Sequence, residues 1–201
     1  MAVTRERLNQ GLTYDQFLAG MTKHRALLLQ NEQAAVIDPA DLAYFRGLPE
    51  TLDVLVLAED APGDIAAGLS VLAKLARESG KLRLHVFRRD QDDDLMRQYL
   101  FQGQFRAIPV FVFFDQHMRE LGHFIERPPA FNALQARQRQ RLFAEHPEMG
   151  DPATPGNELS EAQRQTRQTL LAGLDAELAP ERARLLIRDL RAIVETKPTV
   201  Q

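Results

Sequence analysis

Residues 51–80 read TLDVLVLAEDAPGDIAAGLSVLAKLARESG and decide the fold. The apolar run Val54–Ala58 is rich in β-branched and aliphatic residues and is short enough for a buried strand. An acidic turn follows at residues 59–64, and apolar residues then recur at helical spacing to about Glu78. Gly80 stands where a helix-ending glycine belongs. The stretch therefore predicts a strand, a turn and a helix, and such a turn presents helix N–H groups to solvent.

The composition excludes several classes of function. The chain has 201 residues, of which 26% are charged and 44% hydrophobic, and its net charge of -3 gives no basic field for nucleic acid. No apolar run is long enough to cross a membrane and the first residues start no signal peptide, so we expect a cytoplasmic protein. Cysteine is absent, which excludes disulfides, thiolate nucleophiles and dithiol redox chemistry in this chain.

Downstream segments add strands and a helix to this unit. Residues 82–87 alternate apolar and polar side chains, residues 110–114 (VFVFF) form the strongest strand signal, and residues 119–125 indicate the returning strand of a hairpin. We expect His85 to be a structural histidine, since no second histidine lies near it in sequence. Asp92, Asp93 and Asp94 precede a short helix, where capping and the helix dipole explain acids, and they lack the spacing of a calcium loop.

The order strand, helix, strand, helix, strand, strand, helix resembles the thioredoxin fold. The resemblance is closest to bacterial thioredoxin family proteins that read roughly AEDWCGDC after the first strand of this unit. Here residues 58–65 read AEDAPGDI, and Ile108–Phe113 (IPVFVF) stands in the place of the family's cis-proline and central strand. The resemblance covers about residues 51–130. It implies an α/β, thioredoxin-like fold with a central mixed sheet flanked by helices, and with N- and C-terminal helical extensions.

The departures from the family pattern remove its chemistry. Ala61 replaces the tryptophan, Pro62 replaces the first active-site cysteine and Ile65 replaces the second. Thiol–disulfide exchange needs one thiolate to attack and a second thiol to resolve the mixed disulfide. A buried carboxylate lies under the second cysteine in many thioredoxins, and that position falls near Val56. The degenerate active-site position therefore comprises Ala61, Pro62, Gly63, Asp64 and Ile65.

Although the family's dithiol chemistry is absent, the resemblance still implies the surface that surrounds the family's active site. It implies a cis Ile108–Pro109 peptide bond and a groove that binds an extended peptide. The candidate groove residues are Glu59, Asp60, Pro62, Gly63, Ala107, Ile108 and Pro109. The cis bond can equally serve only to fix the strand against the turn. The acids at the turn are explained by helix-start electrostatics, because an enzyme using paired carboxylates would need partners that the sequence does not show.

Two functions follow from this surface. The first is a non-catalytic protein- or peptide-binding or scaffolding role, with no cofactor and no metal. The alternative is a glutathione-binding or transferase-like enzyme that uses the cis-proline backbone. The long N-terminal helical part is unlike glutathione transferases, and no clear tyrosine or serine at the start of the core could activate a thiol.

Helical segments flank the core, and we divide the chain into residues 1–50, 51–130 and 131–201, forming one compact unit. Thr13 with Gln16 and Ser160 with Gln163 predict capping boxes, and Asp38 with Pro39 predicts a helix start. Residues 146–157 are rich in proline and glycine and predict a linker. Pro180 predicts the start of a last helix, and residues 197–201 predict a frayed tail. The terminal helices pack on each other, on the core, or on a second copy in a homo-oligomer.

Overall fold

The computed structural model describes residues 3–195. The predicted tail at residues 197–201 lies outside the described residues. The helices are α1 (Arg5–Leu8), α2 (Tyr14–Ala19), α3 (Arg25–Ala34), α4 (Pro39–Arg46), α5 (Asp64–Ser79), α6 (Asp93–Met96), α7 (Pro129–Glu145) and α8 (Glu161–Glu195). The strands are β1 (Leu52–Ala58), β2 (Leu82–Arg88), β3 (Val110–Phe114) and β4 (Glu120–Ile125). No helix among residues 3–195 combines the length and the apolar character that crossing a membrane requires.

The strands form one mixed sheet in the order β2-β1-β3-β4. The β1–β2 pair is parallel, and the β1–β3 and β3–β4 pairs are antiparallel. Because β1 lies between two neighbours and has helices over both faces, it is buried along its whole length, which explains its unbroken apolar run. The α/β fold with a mixed central sheet and flanking helices, predicted from the resemblance, is confirmed.

The described residues form two compact units, residues 3–127 with 183–195 and residues 128–182. In the first unit, alternate residues of β1 face two different cores. Val54 and Val56 face a large core shared with α5, whereas Leu55 and Leu57 face a smaller core shared with α1 and α6. Both faces of β1 are therefore buried against helices.

The N-terminal segment belongs to the larger core of the first unit. Phe17, Leu28 and Phe45, from α2, α3 and α4, are completely buried in it, and α3 and α4 pack against α5. The capping box of Thr13 and Gln16 is present, and Asp38 caps α4 ahead of Pro39 as predicted. The boundary that we place at residue 50 from sequence thus divides residues that share one core.

The second unit contains α7, a short 3-10 turn at Pro147–Met149 and the first part of α8. The predicted capping box of Ser160 and Gln163 opens α8. The Arg167 guanidinium donates hydrogen bonds to the carbonyl groups of Met149, Asp151 and Thr154, so one side chain orders the proline-rich linker.

The prediction that Pro180 starts a separate helix is wrong, because α8 runs through it without a break. A proline inside a helix lacks the N–H that would bond four residues back, and its ring crowds that carbonyl. Apolar residues on both sides of Pro180 are buried, including Leu178 before it and Ala183 after it. Helical stability in proteins comes mainly from such packing, which here outweighs the missing hydrogen bond.

Candidate functional site

The strand register brings the acidic turn and the Ile108–Pro109 segment to one edge of the sheet. Leu57 pairs with Val110 in the antiparallel β1–β3 ladder. The next pair along this register sets Ala58, the last residue of β1, beside Pro109, the residue before β3. The turn that leaves β1 and the loop that enters β3 therefore lie next to each other, as the resemblance implies.

The degenerate active-site position is exposed at its first residues and buried where it enters α5. Pro62 and Gly63 are exposed, Asp64 begins α5, and Ile65 is buried in the larger core. Gly63 has φ 68° and ψ -123°, a backbone conformation that residues other than glycine rarely adopt, so glycine is needed there. Val56 is completely buried in the same apolar core. Of these residues only Asp64 carries a titratable group, and no nucleophile stands where the family has its cysteines.

Asp60 is held by the N-terminal segment that leads into α3. Its carboxylate accepts backbone hydrogen bonds from Thr22, Lys23 and His24, with N···O distances of 2.6, 2.9 and 2.9 Å. Loss of hydration raises the pKa of Asp60, but these bonds and one from the His24 side chain outweigh that effect and hold the pKa well below its ordinary value. Asp60 is therefore an ionised anchor that ties the turn after β1 to residues 22–24.

The two other acids of the turn also have partners inside the protein. Glu59 accepts a hydrogen bond from the backbone N–H of Asp90 at 3.0 Å and lies 3.9 Å from the Arg88 guanidinium. Asp64 forms an ion pair with Arg127 at 3.2 Å. A pair of carboxylates acting as general acid and base would converge on a reacting atom. Here the three acids point to three different parts of the first unit and serve its assembly.

The Ile108–Pro109 peptide bond is cis, and Pro109 is buried beneath α5. A Cβ added to Gly68 would lie 3.2 Å from Cγ of Pro109, so the absent side chain allows α5 to approach this loop closely. The Pro109 carbonyl accepts a hydrogen bond from Glu126 and extends the β3–β4 ladder by one step. Sequence reasoning did not single out Gly68, although a small residue inside an apolar helix signals such an approach.

The backbone just before Pro109 is the part of this edge with spare hydrogen-bonding capacity. Ala107 and Ile108 are half-buried and belong to no strand. Within residues 3–195, no hydrogen bond of the chain engages the N–H or C=O of Ile108. A backbone group that lies at the surface without a partner in the protein is free to pair with an extended ligand.

The family model described as thioredoxin matches residues 11–139, well over half of the chain. The chain belongs to the thioredoxin family. It is a family member without cysteine, so dithiol exchange cannot occur on it. The resemblance drawn from residues 58–65 and 108–113 is thereby confirmed.

Two solved structures are similar to this family member over almost the whole of both chains. One is the 1.5 Å crystal structure of a protein of unknown function from Pseudomonas aeruginosa, with a TM-score of 0.63, 20% identity and coverage of 97% of this chain and 98% of that chain. The other is an HIV epitope-scaffold, with a TM-score of 0.62, 18% identity and coverage of 98% and 99%. At these identities the likeness shows a shared fold. No curated protein matches the chain.

A second polar cluster lies at the opposite end of β1 in this family member, and sequence reasoning missed its central residue. Asp53 is buried and pairs with Arg5, with Nη1 of Arg83 at 3.4 Å and with Nε2 of His85 at 2.8 Å. Burial raises the pKa of Asp53, but the hydrogen bonds from Arg5 and His85 lower it below its ordinary value. His85, predicted to be structural, is buried in this cluster. The signal was an acid within an otherwise apolar strand.

Among the residues that the structure describes, no three histidine or acidic side chains are grouped so that they could hold a metal ion. The acids that stand close together in sequence at residues 92–94 pair with arginines instead. Asp92 and Asp94 both bind Arg7, and Asp93 binds Arg106. These ion pairs fasten α1 and the loop before β3 to α6.

Proposed function

We propose that this protein binds an extended protein or peptide segment without transforming it, and that the segment pairs with the backbone of Ile108. The part of the candidate groove that would contact this segment consists of Pro62, Gly63, Ala107, Ile108 and Pro109. The observation that carries the proposal is the unpartnered N–H and C=O of Ile108 at the half-buried edge of the groove. A ligand that adds a short strand there gains main-chain hydrogen bonds to groups that no other described residue engages.

The surroundings favour recognition over catalysis. The exposed tip of the groove is formed by Pro62 and Gly63, which carry no titratable group, and the chain has no cysteine. Glu59 and Asp60, which we include among the candidate groove residues, are bound to residues of the protein itself. Their role in the proposal is therefore to hold the turn in place, and the binding energy comes from backbone pairing and from contact with Pro62, Ala107 and Ile108.

Titration of the protein with a thiol-free unfolded peptide tests this function. The probe is S-carboxymethylated insulin B chain, and the readout is the amide NMR shifts of Gly63, Ala107 and Ile108. We expect these shifts to move together, and Ala107→Glu to weaken binding at least tenfold because it places a charge against a half-buried backbone edge. Ala43→Glu, at an exposed position of α4, is the matched control and leaves affinity unchanged.

Glutathione titration in the same format addresses the transferase-like alternative. A ligand that binds only the native state raises the melting temperature as its concentration rises. A glutathione-dependent rise that Ala107→Glu abolishes would replace the peptide-binding proposal with the alternative. Shifts that avoid residues 62–63 and 107–109, or equal affinities for Ala107→Glu and the parent protein, would refute the groove itself.

A further inference from the structure

A second strand edge, far along the sheet from the groove, is only partly covered. β2 is an edge strand, and the residues before α2 pair with it at a single point. Leu12 donates to the Val86 carbonyl at 2.9 Å and accepts from the Val86 N–H at 2.7 Å. The chain then turns into α2 at Tyr14, so this antiparallel pairing does not continue along β2.

The hydrogen-bond pattern shows which groups of β2 remain open. In a strand, the N–H and C=O of successive residues point to opposite sides. Those of Val86 point outward to Leu12, and the carbonyl of Lys81 points inward to Leu52 at 2.9 Å. The N–H and C=O groups of Leu82 and Leu84 therefore also point outward. Among residues 3–195, none of the chain's other backbone or side-chain groups pairs with those of Leu84.

A shallow cavity of about 300 Å³ lies beside this open edge. Its apolar lining comes from Tyr14, Ala73, Ala76, Leu82 and Leu84. A strand added to β2 would direct the side chain opposite Leu84 to the same face of the sheet as Leu84, over this lining. The small side chains of α5 leave room there for an apolar residue.

The opposite face of the same edge carries an exposed arginine, Arg83, beside Arg5, Glu50 and Asp53. Arg83 is 62% exposed, and its distance to Asp53 is 3.4 Å, whereas Asp53 is bound more closely by His85. The other charges at the cavity are Asp15 and Arg77, and Arg77 is paired with Glu32 at 3.0 Å. The residue of an added strand that lies opposite Arg83 therefore meets an exposed guanidinium.

A second copy of this chain does not offer a suitable strand to the open edge of β2. A two-fold strand pairing must join outward-pointing residues, so it sets Leu82 or Leu84 of one copy opposite Leu82 or Leu84 of the other. Two of these three registers place Arg83 opposite Lys81 or Arg83 of the other copy, and like charges directly opposite each other destabilise a strand pair. The third places Arg83 opposite His85, whose side chain is buried against Asp53 and offers no acidic partner. The charge pattern thus favours a different protein with an acidic residue at this position.

We infer that the Leu82–Leu84 edge is a docking site for an extended segment of a partner protein that alternates apolar and acidic residues. The apolar residues lie opposite Leu82 and Leu84, and the acidic residue between them lies opposite Arg83. Main-chain hydrogen bonds to Leu84 supply the pairing, and Arg83 selects the charge. This surface is separate from the groove at Ile108, and the inference does not depend on the function proposed for that groove.

Peptide titration monitored by NMR tests the inference. The probe is acetyl-Ser-Val-Glu-Val-Glu-Val-Ser-amide, and the same peptide with lysine in place of glutamate is its matched control. We expect the glutamate peptide to bind at least threefold more tightly, to shift the amides of Leu82 and Leu84, and to slow their hydrogen exchange. Arg83→Gln removes this charge preference, whereas Arg97→Gln, at an exposed arginine of another surface, preserves it.

Leu84→Pro tests the edge at its central residue. Proline removes the outward N–H and replaces a leucine side chain of the apolar lining, and it is compatible with an edge strand, so we expect a folded variant that binds the glutamate peptide about fivefold more weakly. If circular dichroism shows that this variant is unfolded, the Arg83→Gln titration and the hydrogen-exchange rates test the inference without it. Equal binding of the two peptides, no binding at 1 mM, shifts confined to residues 107–109, or concentration-dependent dimerisation through Leu84 would each overturn the inference.

Discussion

Replacing Asp60 with alanine removes the acceptor for three backbone N–H groups and leaves Thr22, Lys23 and His24 without their partner. A hydrogen bond to a charged group contributes about 1.5–3 kcal/mol, and water recovers part of that where the donors are exposed. Taking about 1 kcal/mol for each of the three bonds, we expect Asp60→Ala to lower the free energy of unfolding by about 2–3 kcal/mol. The same variant should bind the carboxymethylated peptide more weakly, because the turn that carries Pro62 and Gly63 loses its anchor.

Urea unfolding followed by circular dichroism measures the loss of unfolding free energy, and repeating it over a range of pH tests whether the ionised carboxylate is its cause. Because the folded-state pKa of Asp60 is below its ordinary value, its contribution is present above about pH 4 and is lost as the pH falls through the depressed pKa. The difference between parent and Asp60→Ala should therefore shrink in acid. Asp90→Ala, which removes an exposed ion pair with Arg89, should cost less than about 1 kcal/mol. A loss for Asp60→Ala no larger than that would refute the anchoring role.

Three further predictions follow from packing and charge. Gly68→Leu should destabilise by about 2 kcal/mol and shift the amides beside Pro109, because its side chain must displace the proline. Asp53→Asn should cost about 2–4 kcal/mol at neutral pH, and the parent should lose stability more steeply below about pH 4 because ionised Asp53 stabilises the folded state. Pro180→Ala should raise the free energy of unfolding by about 1–3 kcal/mol by restoring a helical hydrogen bond.

Urea titrations with matched variants check these values. Gly173 is also a helical glycine but has open space where its Cβ would lie, so Gly173→Leu should be neutral or stabilising. Equal losses at Gly68 and Gly173 would mean that close approach to Pro109 is not the cause. An acid profile of Asp53→Asn parallel to that of the parent would contradict the pH argument. A lower stability for Pro180→Ala would show that the proline fits α8 without cost.

Local patterns in the sequence were sufficient for most of the sheet. β1 and β3 are apolar runs flanked by turn residues, and the positions of the turn and of Ile108–Pro109 relative to these strands carried the resemblance. Gly80 ends α5 in the left-handed conformation as predicted, with φ 66°. These features depend on residues a few positions apart, so periodicity and turn chemistry reveal them.

The features that sequence reasoning missed depend on residues far apart in the chain. Asp60 reads as an acid at a helix start, and nothing near it indicates that its partners are residues 22–24. Asp53 is explained only by Arg5 and His85, which other elements bring to it. The preference of proline for the first turn of a helix predicted a helix start at Pro180. The helix instead continues through it, because residues on both sides of the proline are buried. The candidate groove and its ligand stay predictions, since a backbone edge has no signature in sequence.

The N-terminal segment also sets an order of events during synthesis. Residues 13–46 leave the ribosome before their partners, which are α5, the carboxylate of Asp60 and the edge of β2. Leu12 finds its hydrogen bonds only when Val86 has been made. Because isolated helices as short as α2, α3 and α4 are unstable in water, this segment must wait for about forty more residues before it can fold. A nascent chain stalled before β2 would expose Phe17, Leu28 and Phe45 to chaperones and proteases.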